Sequence, residues 1–338
     1  MKFRIIRFSS LGDCILLCPF LAHLKAQCAD EVSVVTSTDY VELFASASGV
    51  DSLIALDRRS GWRGVRQLVG SHRHDGYAVI DAHNTMRSRL VARGLGGADA
   101  TIRKYYRRRA GLILFKRRRE TPTMSERYEE LGRRFGLPAM AETTGGIKVP
   151  AAAVARMSRH RLPTKRVVVA PGSRWPMKRW GTDKFAALAQ YIAREHDCHV
   201  VLVGDARDAP PAERIAASLA GQVTNLVGNT SVMEAAAVIQ GAVTFIGNDS
   251  GLMHLAEAVG VPVIALFGPT VEAFGYYPTL PASRVVERDI ACRPCSRNGS
   301  RKCPKGTQEC LAAIPAEAVA EAFTDLVEGR NEQRYAVP

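Results

Sequence analysis

Residues 247–270 read GNDSGLMHLAEAVGVPVIALFGPT, and this stretch decides the fold. An apolar strand, Ala242 to Ile246, runs into it and stops at a small polar turn. A helix is expected from Ser250-Gly251, and a second apolar strand, Val261 to Phe267, ends at Gly268-Pro269-Thr270. Helix N-termini carry unpaired N–H groups and the positive end of the macrodipole, so this turn suits an anion. Gly251 lets a ligand approach the backbone, while Asp249 and His254 add polar groups of different character. Helix capping alone accounts for Asp249 or Ser250 taken singly. The whole string asks for more than a cap.

Outward from this stretch, short β-rich runs alternate with helical patterns. Strands are expected at Phe3–Phe8, Val32–Thr36, Leu53–Leu56, Ala78–Asp81 and Ala100–Ile102, then at Val167–Ala170, His199–Val203 and Val223–Asn225. Helices are expected around Ile15–Gln27, Val41–Ser46, Thr182–Glu195, Pro211–Leu219, Ser231–Ile239 and Leu252–Val259, with an amphipathic last helix at about Pro315–Glu328. Near-continuous apolar strands alternating with helices mean parallel sheets covered on both faces. Two such sets, separated by a polar stretch near 150–165, predict two Rossmann-like domains, 1–160 and 161–338. Open α/β sheets bind ligands beyond the carboxyl ends of their strands. The polar loops Ser9–Asp13, Pro171–Lys178, Gly204–Asp208 and Gly247–Gly251 all fall at such ends.

The 338 residues suffice for two full cores. The net charge of +13 concerns partners rather than fold. Basic residues cluster as Arg58, Arg59, Arg63 and Arg66; as Arg87, Arg89 and Arg93; as Arg103, Lys104, Arg107, Arg108 and Arg109; and as Lys116 with Arg117, Arg118 and Arg119. All lie in the first half, which assigns the excess charge to one domain and one face. A solvated charged face is the plain alternative. The clusters lack any helix-turn-helix, RRM or zinc-finger pattern, which argues against a nucleic-acid partner. No apolar run reaches the roughly 18–20 residues that span a bilayer. Gly12-Asp13 interrupts a signal-like N-terminus and no small-residue cleavage site follows, so a cytoplasmic location is expected.

Three further stretches join the first. They are FRIIRFSSLGDCILLCPFLAHLK at the N-terminus, VVVAPGSRWPMKRWG at 167–181, and CRPCSRNGSRKCPKGTQECL near the end. Together with D-S-G-x-x-H-L-A and LFGPT, they resemble glycosyltransferase family nine, the ADP-heptose:lipopolysaccharide heptosyltransferases. The resemblance implies a GT-B fold, α/β with two Rossmann-like domains facing a cleft and a last helix packed back across the junction. It also implies an inverting, metal-independent transfer of heptose from ADP-L-glycero-D-manno-heptose. The acceptor would be Kdo or heptose of the lipopolysaccharide inner core on lipid A, at the inner face of the cytoplasmic membrane. Another core sugar or a protein is the alternative acceptor.

Transfer from a nucleotide sugar needs a base for the acceptor hydroxyl, a stabiliser for the departing diphosphate, and an anomeric carbon held in line. The S-x-L-G-D match makes Asp13 the candidate base; capping of the following helix is its structural alternative. Lys178 and the Ser250–Gly251 helix start are the candidate diphosphate stabilisers. By resemblance Ser173 touches the diphosphate, Asp249 the sugar hydroxyls, Asp208 the ribose and Thr230 the adenine side, with His254 in support. Many family members carry glutamate near Asp208, one methylene longer. Arg58, Arg103, Arg107, Arg109 and Lys116 are the candidates for an anionic acceptor.

Eight cysteines do not make a disulfide scaffold at this length. Cys14, Cys18, Cys28 and Cys198 read most simply as buried thiols. Cys292, Cys295, Cys303 and Cys310 could supply four thiolates to a structural zinc or iron; free thiols or a disulfide are the other readings.

Overall fold

The computed structural model describes residues 1–338 except 74, 117–120, 142, 220, 331–333 and 338. The chain begins β1 (Lys2–Ile6), α1 (Leu11–Ile15), α2 (Cys18–Gln27), β2 (Glu31–Ser37), α3 (Val41–Ala45) and β3 (Ser52–Leu56). It continues α4 (Gly61–His72), β4 (Ala78–Asp81), α5 (Met86–Gly94), β5 (Ala100–Thr101), α6 (Tyr106–Phe115), α7 (Met124–Arg133) and α8 (Ala151–Ser158). Then follow β6 (Arg166–Ala170), α9 (Thr182–His196), β7 (His199–Leu202), α10 (Ala209–Ala217), β8 (Val223–Asn225), α11 (Val232–Ile239), β9 (Thr244–Asn248) and α12 (Gly251–Ala258). The last elements are β10 (Val263–Phe267), β11 (Arg284–Arg288), α13 (Glu309–Ala312), α14 (Ala316–Val327) and β12 (Arg334–Val337).

Two compact units result. The first comprises Met1–Tyr105 and Pro122–Lys148, the second Tyr106–Thr121 and Val149–Pro338. In the first, five parallel strands run in the order β3-β2-β1-β4-β5. Phe3, Ile5, Ile6, Val32, Val34 and Val35 are fully buried, as strands covered on both faces must be. On one face Val65 and Leu68 of α4 and Val91 and Ala92 of α5 close over Ile6, Val35 and Val79. Capping boxes set two helix starts: Thr85 with Ser88 for α5, and Thr123 with Glu126 for α7.

The second unit holds seven parallel strands in the order β12-β11-β10-β9-β6-β7-β8. Val167, Val169, Val200, Leu202, Ile246 and Ile264 meet Phe185, Leu188 and Ile192 of α9 in one core. Phe323 of α14 joins the same core, and the last helix lies against α9, β10 and β11 of its own unit.

Three differences from the sequence reading concern the partition. The polar stretch taken as a linker contains α8, which packs on α11 of the second unit. The division therefore falls at Lys148/Val149 rather than 160/161, and α6 with the residues to Thr121 also belongs to the second unit. Two strands, β11 and β12, extend the second sheet beyond the five expected. Among the described residues no helix is long and apolar enough to cross a membrane.

Candidate active site

In the seven-stranded sheet the chain leaves β6 toward β7 and β8, then returns to β9 on the other side of β6. The loops after β6 and β9 therefore part at the switch point, where α/β sheets bind ligands. Asn248, fully buried at the end of β9, sets their spacing. Its Nδ2 donates to the carbonyls of Pro171 at 2.9 Å and Gly172 at 3.2 Å, and its Oδ1 accepts the Trp180 N–H at 2.9 Å. That bond carries the Pro176–Arg179 segment into the site, where Lys178 forms an ion pair with Asp249. The Thr270 hydroxyl donates to the same carboxylate oxygen at 2.6 Å. Burial pushes the Asp249 carboxyl up, but the Lys178 charge and the bonds from Lys178 and Thr270 outweigh it and hold the group below its ordinary range.

Ser250 is the N-cap of α12, and its buried Oγ has no hydrogen-bond partner among the described residues. Gly251 is the first helical residue, and buried His254 follows one turn on, its ring 6.4 Å from that of Tyr276. An orphan hydroxyl and the orphan amides of a helix start, beside a lysine, form a cradle for phosphate oxygens.

Ser173 is buried, and its carbonyl accepts from Arg179 Nε at 2.8 Å. Asp208 is buried against the backbone of Gly172, where a Cβ would fall 2.0 Å from Asp208 Oδ2. Its carboxylate accepts the Asp205 N–H at 3.3 Å and faces Arg179 at 3.5 Å. Burial and the nearby Asp205 charge raise its proton affinity, partly offset by Arg179. The residue expected at the ribose thus braces the Pro171–Ser173 turn. Half-buried Thr230 lies beside this loop, because the Gly228 N–H donates to the Gly204 carbonyl at 3.0 Å.

The cysteine-bearing tail holds the lysine segment from outside. Gln308 Nε2 donates to the carbonyls of Pro176 at 3.3 Å and Arg179 at 3.2 Å, and Trp180 Nε1 donates to Ile314 O at 3.0 Å. Gly299, at φ +76°, lies over the Lys178 stem, where a Cβ would fall 2.8 Å from Lys178 Cγ. Cys292, Cys295, Cys303 and Cys310 are free thiols, and among the described residues no three His, Cys, Asp or Glu side chains are grouped to hold a metal. The Cys303 thiol, raised by its partial burial, is lowered more by the N–H groups of Lys305, Gly306, Thr307 and Gln308, which make a tight turn around the sulfur. Cys28, read as buried, is exposed at the end of α2.

The five-stranded sheet has its switch point between β1 and β4. Arg7, just past β1, is buried and donates to the Ala82 carbonyl after β4. Its Nη2 lies 2.7 Å from Asp13 Oδ2, which also accepts from Ser10 Oγ at 2.8 Å and Ser10 N–H at 3.2 Å. Burial pushes the Asp13 carboxyl up; the Arg7 charge and the Ser10 and Arg7 hydrogen bonds overcome this and hold it at about 2. His83 is pushed down to about 3 by burial and by the Arg7 charge, and its Nδ1 accepts the Phe8 N–H at 3.4 Å. A neutral imidazole and an ionised carboxylate thus share one guanidinium. Burial pushes the adjacent Cys14 thiol up to about 12, so it stays protonated.

The basic residues fall in both units. Arg58, 3.6 Å from Asp39, and Arg103 are exposed in the first unit. Arg107, Arg109 and Lys116 lie in the second. Arg109 is buried, donates to Phe274 O at 3.2 Å and stacks near the Phe274 and Tyr276 rings. Lys116 Nζ donates to the carbonyls of Cys292 at 2.8 Å and Pro294 at 2.6 Å. Arg109 and Lys116 thus each carry contacts within the second unit, Arg109 buried and Lys116 exposed. Arg107 stays exposed, and Arg117, Arg118 and Arg119 lie outside the described residues.

Arg7, His83, Asn248, Thr270 and Arg179 were not singled out as site residues from sequence. The visible signal for Arg7 is a guanidinium closing the apolar Ile5-Ile6 pair at the strand end, and Asn248 and Thr270 stand inside the quoted motif.

Two parallel-sheet units with polar loops at each switch point make the GT-B fold, which solved heptosyltransferase structures share. The chain belongs to glycosyltransferase family 9 (heptosyltransferase), whose family model matches residues 63–305. It is 40% identical over 163 residues to lipooligosaccharide heptosyltransferase 2 of Haemophilus influenzae, 46% of each chain. To the lipopolysaccharide core heptosyltransferase OpsX of the same species it is 24% identical over 276 residues, 78% of each. The first relatives are thus matched over less than half their length. The structure of E. coli ADP-heptose lps heptosyltransferase II superposes with a TM-score of 0.77 at 25% identity, covering 97% of this chain and 99% of that one. The family 9 glycosyltransferase of Veillonella parvula reaches 0.81 at 20% identity, covering 97% of each, and shows the shared fold.

Proposed function

We propose that this protein transfers L-glycero-D-manno-heptose from ADP-heptose to a Kdo or heptose hydroxyl of the lipopolysaccharide inner core on lipid A, at the inner face of the cytoplasmic membrane. The observation that carries the reading is the cluster of Ser173, Lys178, Asp249 and Ser250 at one switch point in a family 9 chain. The ADP-heptose named for the E. coli relative, and the lipopolysaccharide and lipooligosaccharide named for others, support the donor and the acceptor class.

Asp13 takes the proton of the acceptor hydroxyl as its oxygen bonds to the anomeric carbon. The bond from that carbon to the phosphate oxygen breaks, and its electron pair leaves with ADP. One displacement inverts the configuration. Arg7 keeps Asp13 ionised and oriented throughout the neutral range. Lys178 and the α12 amides take up the charge on the departing diphosphate, without need of a metal. Thr230 and the Gly204–Asp208 loop border the nucleoside, with Asp208 acting through the turn it braces. Arg58 and Arg103 in the first unit and Arg107 and Lys116 in the second are the exposed candidates for an anionic acceptor.

The test is incubation with ADP-heptose and a panel of truncated Kdo–lipid A acceptors, read by mass spectrometry. Mass gain of one heptose on a member of the panel is expected. Hydrolysis of donor without transfer to any member would overturn the acceptor class.

A further inference from the structure

We propose that α4 and α5 of the first unit form a docking face for an anionic lipid bilayer. The proposal rests on the membrane-held acceptor suggested above and names the surface that meets the membrane.

The two helices lie side by side, with Val69 of α4 packed where a Cβ on Gly94 of α5 would stand. Each buries one apolar face in the first unit's core, through Val65 and Leu68 and through Val91 and Ala92. That accounts for the hydrophobic residues a helix of a globular domain needs. Three large apolar side chains are left over on the outside: Trp62 is 57% exposed, Met86 72% and Leu90 38%. Around them Arg63, Arg66, Arg89 and Arg93 are also exposed. Neither helix contains an aspartate or glutamate, and among the described residues none of these four guanidiniums forms an ion pair.

This composition fits one partner. Exposed tryptophan, methionine and leucine need an apolar phase, and arginines without a carboxylate partner need anions in a plane beside it; the headgroup boundary of an anionic membrane supplies both. Topology supports the assignment. β3 ends at Leu56 and β4 at Asp81, so α4 and α5 both start from the carboxyl rim of the sheet. Trp62 and Met86 sit at those starts, on the rim that also carries Arg7, His83 and Asp13. A bilayer seated there would lie next to the loop proposed to meet a lipid-anchored sugar.

The test uses the full chain and vesicles free of saccharide, so it reads docking independently of transfer. Flotation with phosphatidylglycerol–phosphatidylcholine vesicles is compared with pure phosphatidylcholine, alongside tryptophan emission. Binding to the anionic vesicles with a blue shift is expected, and a Trp62→Phe variant should lose most of the shift. The triple change Trp62→Ser, Met86→Ser, Leu90→Ser and the pair Arg63→Glu, Arg66→Glu should each weaken vesicle binding by on the order of tenfold or more. ADP affinity, unchanged in both, serves as the folding control. Equal flotation with both lipids, or variants that bind anionic vesicles like the parent, would overturn the proposal. So would duplex DNA competing through the same arginines, or a change of oligomeric state on replacing Trp62, which would assign the face to nucleic acid or to a second copy.

Discussion

At the switch point of the five-stranded sheet Asp13 meets Arg7, and at that of the seven-stranded sheet Asp249 meets Lys178. In the first pair the cation is inner: the Arg7 side chain is 5% exposed and Asp13 18%. In the second the order is reversed, with Asp249 at 9% and Lys178 at 12%. The inner partner is fixed by the fold in each case, Arg7 by the Ala82 carbonyl and Asp249 by Thr270. The outer partner is left facing the loops. One sheet thereby presents an ionised carboxylate that can take a proton, the other an ammonium that can meet a diphosphate.

If that comparison holds, Lys178→Met has the largest effect. It removes the outer charge and strands the inner one. Turnover should fall by about 10²–10³-fold, and stability by roughly 3–5 kcal/mol in denaturant unfolding because a buried carboxylate loses its partner. Lys178→Arg should recover part of both. Affinity lost equally for ADP and AMP would show that the lysine does not read the second phosphate.

Next comes Gly172→Ala. The new Cβ would stand 2.0 Å from Asp208 Oδ2, so either the Asp208 brace or the Ser173 turn must shift. A loss of about 1–3 kcal/mol is expected, together with weaker ADP binding by calorimetry. A stable variant with unchanged ADP affinity would remove Asp208 from its positioning role.

The Asp13–Arg7 pair also predicts an acid limb of stability. The Asp13 carboxyl lies at about 2 in the fold against 3.8 ordinarily, so its contribution is complete above pH 3.8 and is lost as pH falls through about 2. Wild type should exceed Asp13→Asn by on the order of 2 kcal/mol at neutral pH, with the gap closing across that acid window. A gap that closes near neutrality would mean Arg7 does not hold the carboxylate.

The smallest effect separates two arginines of one helix. Arg109→Met should cost about 1–2 kcal/mol, since its carbonyl and ring contacts are buried, whereas Arg107→Met should stay within about 0.5 kcal/mol. Comparable melting temperatures would undo the distinction between structural and exposed arginines on α6.

The polar loops were legible because their chemistry is local: an apolar strand, a turn with Gly, Ser and Asp, then a helix. Lys178, Ser173 and Ser250 could be found that way, and so could the strands that carry them. The partition could not. The sequence of α6, YRRRAGLILF, reads as a basic continuation of the first half, and only the distant Phe274 and Tyr276 make it part of the second unit. β11, RVVER, has two apolar residues between charges, and its place is given by pairing with β10. Asp208 stands out because its loop is at a strand end and matches the family's ribose position, while the close pass of Gly172 is a tertiary fact. The cysteine spacing points to thiolate chemistry but gives no sign that Gly299 of the same tail lies across the Lys178 stem.

The most direct test of the division between the two switch points is a single-turnover transfer assay of Asp13→Asn with ADP calorimetry on the same preparation. The account predicts at least about a 10²-fold loss of heptose transfer with ADP affinity unchanged. Transfer at the wild-type rate, or a loss of ADP binding equal to the loss of transfer, would contradict it.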